Sequence, residues 1–300
     1  MTPTRLLPLA LALLPLCAAA SATPSPWQGQ PLVWQQTFDT LPATAADGDE
    51  WRATLGIKWQ TDRTRDHARV VPLPADEGGG QALEIRFEKD RFSDGNGIGW
   101  FTSLRRLGVT PDRLPAATLV YRLKFEDDFD FAQGGKLPGL VGGENFGASG
   151  GSHPDGTNGW TARYMFQSSG HIILYPYLPA LPGSPYGKGK WGDALKLRRD
   201  AERGRPASFV PGRWHEIAQH VQLNTPGKND GVLRVWLDGE LVLDRVDVGF
   251  RNDDGLEQNG VGGIYFSAFF GGNTPDWSPS RDQRLWIDDV RLHAPVSKNP

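Results

Sequence analysis

The stretch TLVYRLKF, residues 118–125, has the two-residue period of a β-strand that is buried on one side. Successive side chains of a strand point to opposite faces, so its alternate apolar residues share one face and its charged residues lie on the other. This pattern predicts a strand that packs on a core and exposes its basic side chains. The apolar face comprises Leu119, Tyr121, Leu123 and Phe125, and the charged face carries Arg122 and Lys124.

Segments of the same kind recur on both sides of this stretch. Asp238-Gly239, between two apolar runs, is a hairpin signal, and Ile264–Phe270 is continuously apolar, as expected of a central strand. Only residues 193–203 look helical, and 37 Gly and 24 Pro among 300 residues disfavour a mostly helical protein. We therefore predict an all-β sandwich or jelly roll. The other predicted strands are 83–87, 159–167, 172–178, 214–223, 233–237 and 285–292.

The N-terminus predicts a secretory signal peptide at residues 1–22, followed by a single domain over residues 23–300. An arginine precedes the apolar stretch 6–20, which is short for a bilayer span, and a small-residue cleavage site follows it. Cys17, the only cysteine, would leave with the signal, so disulfides and thiol catalysis are excluded. We expect export to the extracellular space or the periplasm. Lipid anchoring at Cys17 is the minor alternative, because a lipoprotein would need a small residue just before the cysteine and Leu16 stands there.

The composition of the full chain limits the kinds of partner that it can bind. The net charge is −3, whereas a general nucleic-acid binder would carry a basic balance. No stretch after the predicted signal is apolar enough to span a membrane. We therefore expect neither nucleic acid nor a membrane as a partner, and we expect the chain to act as a monomer.

Motifs of several other enzyme classes are absent or lack their context. Residues 147–151 fit the G-x-S-x-G pattern of serine hydrolases, but a loop precedes them and no helix can follow cleanly. The six histidines are scattered without an H-E-x-x-H motif, which disfavours a catalytic metal. The Glu-x-Asp-x-x-Glu run of jelly-roll glycoside hydrolases is missing. The acidic runs 126–128 and 253–254 lack the EF-hand pattern, so a structural calcium ion stays an open alternative to solvated loop charge.

A group of polar residues remains around the longest irregular stretch, residues 141–159, which contains seven glycines. Residues 134–140, GGKLPGL, place a lysine in a rigid Gly/Pro frame. A Thr-x-Arg pair at 161–163 and a Tyr-x-Tyr pair at 175–177 lie on two successive predicted strands, and the members of each pair share a face. If the strands pair in register, a polar and cationic patch forms. The alternative is ordinary sheet-face tyrosines beside a surface arginine.

The segments GGKLPGL, WTAR at 160–163 and YPY at 175–177 resemble polysaccharide lyase family 14, which includes alginate lyases of marine molluscs and of an algal virus. Jelly-roll glucuronan lyases are relatives to consider. The resemblance covers residues 125–178 well and the closing strands more loosely. It implies a concanavalin-like β-jelly roll, with two packed antiparallel sheets and a concave substrate cleft. The implied site has Lys136, Arg163, Tyr175 and Tyr177 as catalytic residues, with Thr161 beside Arg163 as a substrate-binding residue. We also expect Trp160 and His153, which lie close to these residues in the sequence, to bind substrate.

At one position the chain departs from the family pattern. The family more often has serine where this chain has Thr161, so the hydroxyl is kept on a stiffer, β-branched side chain.

The resemblance implies a secreted lyase that cleaves a 1,4-linked polyuronate by β-elimination, which sets three tasks. The C6 carboxylate must be neutralised, and Arg163 suits this because guanidinium is permanently charged and matches carboxylate with two prongs. A base must take the C5 proton, and an acid must protonate the leaving O4. One tyrosine serves as both if a neighbouring cation lowers its pKa, while Lys136 is either a neutraliser or the base. The sequence leaves this choice open, and no redox or organic cofactor is required.

Two alternatives to a lyase stand at this point. One is a non-catalytic carbohydrate-binding jelly-roll module, since eleven tryptophans offer stacking surfaces. The other is a laminarinase-like glycoside hydrolase, which the missing acid pair disfavours. The expected partner is an anionic polysaccharide, and the sequence does not choose among mannuronate-rich alginate, guluronate blocks and glucuronan. The basic residues within 188–199 either extend a cationic groove or form a solvated loop.

Overall fold

The fold is described by a computed structural model. It covers residue 27 and residues 29–43, 46–109, 114–144, 148–199 and 204–295. The predicted signal peptide, residues 1–22, lies outside these residues. Within the part of the chain that the structure describes, no helix is long and apolar enough to cross a membrane.

Strands dominate the described residues, and helices are short. The helices are α1 (Asp49–Thr54), α2 (Thr64–His67) and α3 (Leu256–Asn259), with 3₁₀ turns at Ala75–Glu77, Ser93–Gly95, Ser168–Gly170 and Pro275–Trp277. In chain order the strands are β1 (Leu32–Gln36), β2 (Ile57–Gln60), β3 (Ala68–Pro72), β4 (Gln81–Phe87), β5 (Gly97–Ser103), β6 (Ala116–Phe125), β7 (Gly134–Gly142), β8 (Trp160–Gln167), β9 (Ile172–Tyr177), β10 (Leu195–Lys196), β11 (Arg198–Arg199), β12 (Arg205–Pro206), β13 (Trp214–Gln222), β14 (Gly231–Leu237), β15 (Glu240–Val248), β16 (Val261–Phe270) and β17 (Gln283–His293).

Two large antiparallel sheets form the molecule. The eight-stranded sheet has the order β15-β14-β13-β6-β17-β4-β3, with β1 paired to β17, and the seven-stranded sheet has the order β10-β9-β8-β7-β16-β5-β2. The short strands β11 and β12 pair only with each other. The predicted all-β jelly roll is confirmed.

The core lies between the two sheets. The apolar face of β6 is fully buried at Tyr121 and Phe125, as the alternation in this strand predicts. Phe125 packs against Phe166 of the seven-stranded sheet, with ring centroids 5.5 Å apart, and Phe166 packs against Phe270 at 5.3 Å. One continuous cluster of buried apolar residues therefore joins the two sheets.

The structure confirms the predicted hairpin turn and contradicts the predicted helix. Asp238 and Gly239 both have positive φ, 52° and 81°, and close the hairpin between β14 and β15, which confirms the hairpin signal. The helix predicted over residues 193–203 is wrong, because β10 and β11 occupy its described part. Leu197 is 1% exposed and Leu195 pairs with Leu174 of β9, so strand pairing and burial override a helical pattern there.

The order of β7, β8, β9 and β10 determines where two long loops lie. These strands follow one another in the sheet and are antiparallel. The connection between β7 and β8 and the connection between β9 and β10 therefore leave the sheet at the same end. Both loops lie beside the residues that the sequence marks as a site.

Candidate active site

The polar face of β8 and β9 forms in the register that the sequence interpretation requires. Thr161 pairs with Tyr177, and Arg163 pairs with Tyr175. Residues directly opposite each other in adjacent strands share a sheet face. Because Ala162, between the two polar residues of β8, lies in the core, this polar face is turned away from the core.

A bulge in β7 brings the lysine onto the same face. Lys136 pairs with Met165 and Gly139 pairs with Arg163, with a register shift between them. Residues three apart in a regular strand point to opposite sides, and the extra residue of the bulge cancels that difference. The Gly/Pro frame therefore aims Lys136 at the arginine.

The bulge depends on a glycine and on support from the core. A Cβ at Gly139 would lie 2.1 Å from the carbonyl oxygen of Ala162, so only glycine permits the close approach of β7 and β8. The side chain of Gln219, from the eight-stranded sheet, accepts a hydrogen bond from Leu140 N at 2.8 Å. It also donates to Ala162 O at 2.7 Å. These buried bonds satisfy backbone groups around the bulge.

Lys136 is a buried amine above a tyrosine ring. Its side chain is 8% exposed, and its Nζ lies 3.7 Å from the ring centroid of Tyr175. Burial lowers the pKa of Lys136 well below its ordinary value, and the positive charge of Arg163 lowers it further. A lysine in this position favours the neutral amine, which is the form that accepts a proton.

Arg163 is a buried guanidinium held by two hydroxyls and one ring. It is 2% exposed. Its Nη1 donates to Ser267 Oγ at 3.3 Å and its Nη2 to Ser149 Oγ at 2.8 Å. The guanidinium lies 4.3 Å from the ring centroid of Tyr265, and its Nε has no hydrogen-bond partner among the residues that the structure describes. These contacts fix the plane of the guanidinium without neutralising its charge.

Neither the Lys136 amine nor the Arg163 guanidinium is paired with a carboxylate in the part of the chain that the structure describes. Lys136 lies over a tyrosine ring, and Arg163 contacts one ring and two hydroxyls. Burying the guanidinium charge without a counter-charge is costly, which is typical of a site that is arranged for a ligand. The arrangement is suited to an anionic ligand that would supply the missing negative charge.

The two tyrosines lie next to each other and differ in exposure. Tyr175 is half-buried and Tyr177 is 3% exposed, with ring centroids 5.7 Å apart. Burial raises the pKa of Tyr175, and the negative charges of Tyr177 and Asp193 raise it further. The expectation that a neighbouring cation lowers the pKa is therefore wrong for Tyr175, because desolvation is the largest cause. This phenol is suited to donating a proton rather than to accepting one.

The Gly-rich loop after β7 packs onto the site. Thr161 Oγ1 donates to Ala148 O at 2.8 Å, so this hydroxyl holds the loop. Ser149, the serine of the G-x-S-x-G pattern, accepts the bond from Arg163 and has the role of an anchor. The ring of His153 lies 5.8 Å from that of Tyr177, and both its nitrogens are buried without a hydrogen-bond partner in the described part of the chain. The structure thus brings Thr161 and His153 to the predicted catalytic residues.

Trp160 lies elsewhere, and the prediction that it binds substrate is wrong. It is fully buried on the core side of β8. Its Nε1 donates to Asn259 O at 2.8 Å, and its ring packs on Phe250 at 4.9 Å. The reason is strand parity, because Trp160 is one residue from Thr161 and therefore points to the opposite face.

The basic segment after Tyr186 divides into two parts. Arg199 pairs with Glu240 at 2.6 Å and with Asp238 at 3.2 Å, so it belongs to the edge of the eight-stranded sheet. Lys188, Lys190 and Lys196 are exposed. These lysines form the part of the segment that can line a cationic groove, whereas Arg199 is held by the scaffold.

Several residues of the site were missed by the sequence interpretation. Tyr265 and Ser267 alternate on β16, a signal that was masked because the strand was interpreted as continuously apolar. Met165, opposite Lys136, has the same parity as Arg163. Asp193 carries no recognisable pattern in the sequence. Burial raises its pKa, while a hydrogen bond from Gly187 N and the charge of His153 act in the opposite direction.

The acidic runs do not form a metal site in the described residues. No group of three His, Cys, Asp or Glu side chains in that part of the chain is placed to hold a metal ion. Glu126 pairs with Arg284 at 3.1 Å, and Asp128 pairs with Arg281. Asp253 accepts a hydrogen bond from Gly255 N at 2.9 Å.

Comparison with known proteins agrees with this geometry. The family Polysaccharide lyase 14 matches residues 75–290. The crystal structure of the marine PL-14 alginate lyase from Aplysia kurodai superimposes with a TM-score of 0.71 and 25% identity, covering 88% of this chain and 100% of that one. The alginate lyase vAL-1 from Chlorella virus gives a TM-score of 0.58 with 19% identity, covering 79% of this chain and 99% of that one.

A third solved structure has the same fold. The alginate lyase Aly36B gives a TM-score of 0.65 with 21% identity, covering 86% of this chain and 95% of that one. No curated protein matches the chain. The family match spans most of the sequence and includes every residue of the site, which confirms the resemblance and the assignment as a polysaccharide lyase. The chain therefore belongs to the polysaccharide lyase 14 family.

Proposed function

We propose that the protein cleaves a 1,4-linked polyuronate by β-elimination at the site formed by β7, β8 and β9. One observation carries this proposal. Lys136 and Arg163 are buried side by side without a carboxylate partner among the described residues. A uronate ring brings a carboxylate to the Arg163 guanidinium, whereas a neutral sugar would leave that buried charge uncompensated.

Arg163 has the role of neutralising the C6 carboxylate. Each of its Nη atoms uses one hydrogen on a serine. The Nε hydrogen has no partner among the described residues, and each Nη carries a second hydrogen, which suits two-pronged binding of a carboxylate. When the C5 proton leaves, negative charge spreads onto the carboxylate oxygens, and the attraction to guanidinium grows. An interaction that strengthens in the transition state accelerates the reaction.

Lys136 is the base and Tyr175 the acid in this proposal. The lowered pKa of Lys136 favours the free amine, and the raised pKa of Tyr175 keeps its proton on the phenol. The amine takes the C5 proton, the C5–H electrons form the C4–C5 double bond, and the C4–O4 bond breaks. The phenol gives its proton to O4. The ammonium and the phenolate are then neighbours, and proton transfer between them restores the starting state.

Alginate is the substrate that we propose. The relative from Aplysia kurodai is an alginate lyase, and its whole length matches this chain. Structures of Aly36B, which shares the fold at 20% identity, hold an alginate tetrasaccharide or trisaccharide after substitution of a lysine together with a tyrosine or a methionine. We also propose that the protein is exported, on the strength of the signal-like sequence at residues 1–22.

The test is a lyase assay on a polysaccharide panel. Polymannuronate, polyguluronate, glucuronan and neutral laminarin are incubated with the protein, and the ultraviolet absorbance of unsaturated uronate ends is followed. We expect the absorbance to rise with an alginate block and to stay flat with laminarin. Reducing ends from laminarin without this absorbance would instead indicate a hydrolase. Retention of alginate without any unsaturated product would indicate a binding module.

A further inference from the structure

We propose that Trp191 forms a stacking subsite for a uronate ring next to the one that is cleaved. The proposal rests on the proposed function and adds a residue that the sequence interpretation did not consider. Trp191 lies on the loop between β9 and β10 and is 52% exposed, although tryptophan side chains are highly buried on average. An exposed aromatic ring beside a saccharide site offers a flat apolar surface for the C–H face of a sugar.

The ring of Trp191 lies between the two loops that border the site. A Cβ at Gly151, in the Gly-rich loop that carries His153, would be 3.0 Å from the tryptophan ring. The next residue of the other loop, Gly192, lies against Tyr175, since a Cβ there would be 2.9 Å from its ring. Trp191 therefore directly precedes, in the chain, a residue that lies against the proposed acid. In this proposal, a sugar stacked on the Trp191 ring is the neighbour of the sugar in the site.

The loop that carries Trp191 is closed by hydrogen bonds. Asp193 N donates to Pro176 O of β9 at 2.9 Å. The carboxylate of Asp193 accepts a bond from Gly187 N at 2.9 Å. These contacts fasten both ends of the short segment to each other and to the strand of the tyrosines. A ring that is held in place before binding loses less conformational entropy when a sugar stacks on it.

Two lysines give this surface a charge that selects for uronates. Lys188 and Lys190 are exposed and have no ion-pair partner in the described residues, and Lys190 Nζ lies 5.5 Å from the ring centroid of Trp191. Arg199, farther along the chain, is paired with two carboxylates instead. A uronate ring matches both features, because its face stacks on the indole and its carboxylate meets an ammonium.

The first test removes the ring and keeps the reaction measurable. We expect Trp191→Ala to raise KM for polymannuronate about tenfold, a change of about 1.4 kcal/mol, with kcat within about twofold of the unmutated protein. Trp191→Phe keeps a stacking surface and should recover most of the loss. Leu241→Ala, at a 44% exposed apolar residue of β15, is the control and should change neither constant.

The outcomes separate this proposal from the proposed function. Binding of an alginate hexasaccharide, measured by calorimetry, reports on the subsite even if no unsaturated product forms. Weaker binding by Trp191→Ala alone then supports the subsite while the lyase reaction fails. An unchanged affinity in Trp191→Ala, or an equal loss in Trp191→Phe, would overturn the subsite even in an active lyase.

The second test addresses the charge. Lys190→Gln should raise KM about threefold at low ionic strength, and the difference should vanish in about 1 M salt, because exposed charges are screened there. Lys89→Gln is the control, since Lys89 is also exposed but follows β4 of the other sheet and lies 3.8 Å from Asp90. Equal behaviour of the two variants would overturn the selective role of the lysine.

Discussion

The outer face of the eight-stranded sheet and the polar face of the seven-stranded sheet both carry basic side chains. Those of the outer face are paired with carboxylates, and those of the polar face are not paired within the described residues. On the outer face, Lys124 pairs with Glu77 at 2.6 Å and Arg291 pairs with Glu216 at 2.6 Å. These side chains keep some contact with solvent. Their charges are compensated within the fold, as in most surface ion pairs.

The polar face of the seven-stranded sheet lacks this compensation. Lys136 and Arg163 are 8% and 2% exposed, and no carboxylate pairs with them in the described residues. Uncompensated burial costs stability, and such a cost is typical of sites that are arranged for a ligand. The comparison teaches that basic side chains of the scaffold differ from those of the site in being paired with carboxylates. Four predictions test this distinction, in order of decreasing effect.

The largest effect is expected from Lys136→Met, which keeps an unbranched side chain, one atom shorter, and removes the amine. Without the proposed base, kcat should fall about 10³-fold or more. The free energy of unfolding should rise by about 1 to 3 kcal/mol, because an apolar side chain replaces a buried uncompensated amine. Activity is followed by the absorbance of unsaturated ends and stability by urea unfolding.

The matched control is Lys124→Met on the outer face. Its partner Glu77 would lose a hydrogen bond, so stability should fall while kcat stays unchanged.

The pH dependence of stability is a second way to compare the two lysines. A lysine whose pKa is lowered in the folded state makes stability rise with pH, from that lowered pKa up to its unfolded value. Lys136→Met should abolish this rise. A loss of stability in Lys136→Met would contradict the comparison.

The sequence predicted the face of the site, because period two fixes which side chains of a strand share a side. Thr161 with Arg163 and Tyr175 with Tyr177 follow from that rule alone, and the register of β8 and β9 then brings the pairs together. The same rule, applied to Trp160, would have placed it in the core. That error came from its proximity in sequence to the polar pair.

Other features of the site could not be predicted from the sequence pattern. The β-bulge depends on how β7 meets its neighbours, so the orientation of Lys136 needed the structure. The anchoring of Arg163 by Ser149 and Ser267 joins residues far apart in the chain. The direction of the pKa shift of Tyr175 depends on burial, which no local pattern reports.

Tyr175→Phe is expected to have the second-largest effect. It removes one hydroxyl from a half-buried ring, so kcat should fall about 10²-fold through loss of the proton donor. The pH profile provides a second measurement. With increasing pH, activity should rise as Lys136 loses its proton. It should fall again as Tyr175 loses its proton, at a pH above the ordinary pKa of tyrosine. The variant should keep the rising limb and lose the falling one. Full activity in the variant would move the acid to Tyr177.

Arg163→Lys should have a smaller effect, since it keeps the charge and loses the two-pronged geometry. We expect kcat/KM to fall about 10- to 100-fold, which corresponds to the loss of one or two charged hydrogen bonds. Arg291→Lys, at a paired arginine of the outer face, is the control and should keep its activity. Equal activity of Arg163→Lys and the unmutated protein would exclude a two-pronged contact with the carboxylate.

The smallest effect concerns Asp288, which departs from the pairing on the outer face. Burial raises its pKa to about 6, its neighbours Asp289 and Asp39 add to the rise, and a backbone hydrogen bond from Asp289 and the charge of Arg122 oppose it. Arg122 lies 3.9 Å away, and Asp288 Oδ1 has no hydrogen-bond partner. This carboxyl is therefore an outer-face group that is poorly compensated.

A raised carboxyl pKa means that the folded state binds this proton more tightly than the unfolded chain does. Stability from this group is present at low pH and is lost as pH rises from about 3.8 through about 6. Asp288→Asn should remove that loss and raise the free energy of unfolding at pH 7 by about 1 kcal/mol, allowing for partial solvent screening. Asp282→Asn should have the opposite sign, because its carboxylate is paired with Arg86 at 2.6 Å and its pKa is lowered. Urea unfolding at pH 5 and pH 7 measures both variants, and equal signs would show that pairing does not separate these two carboxylates.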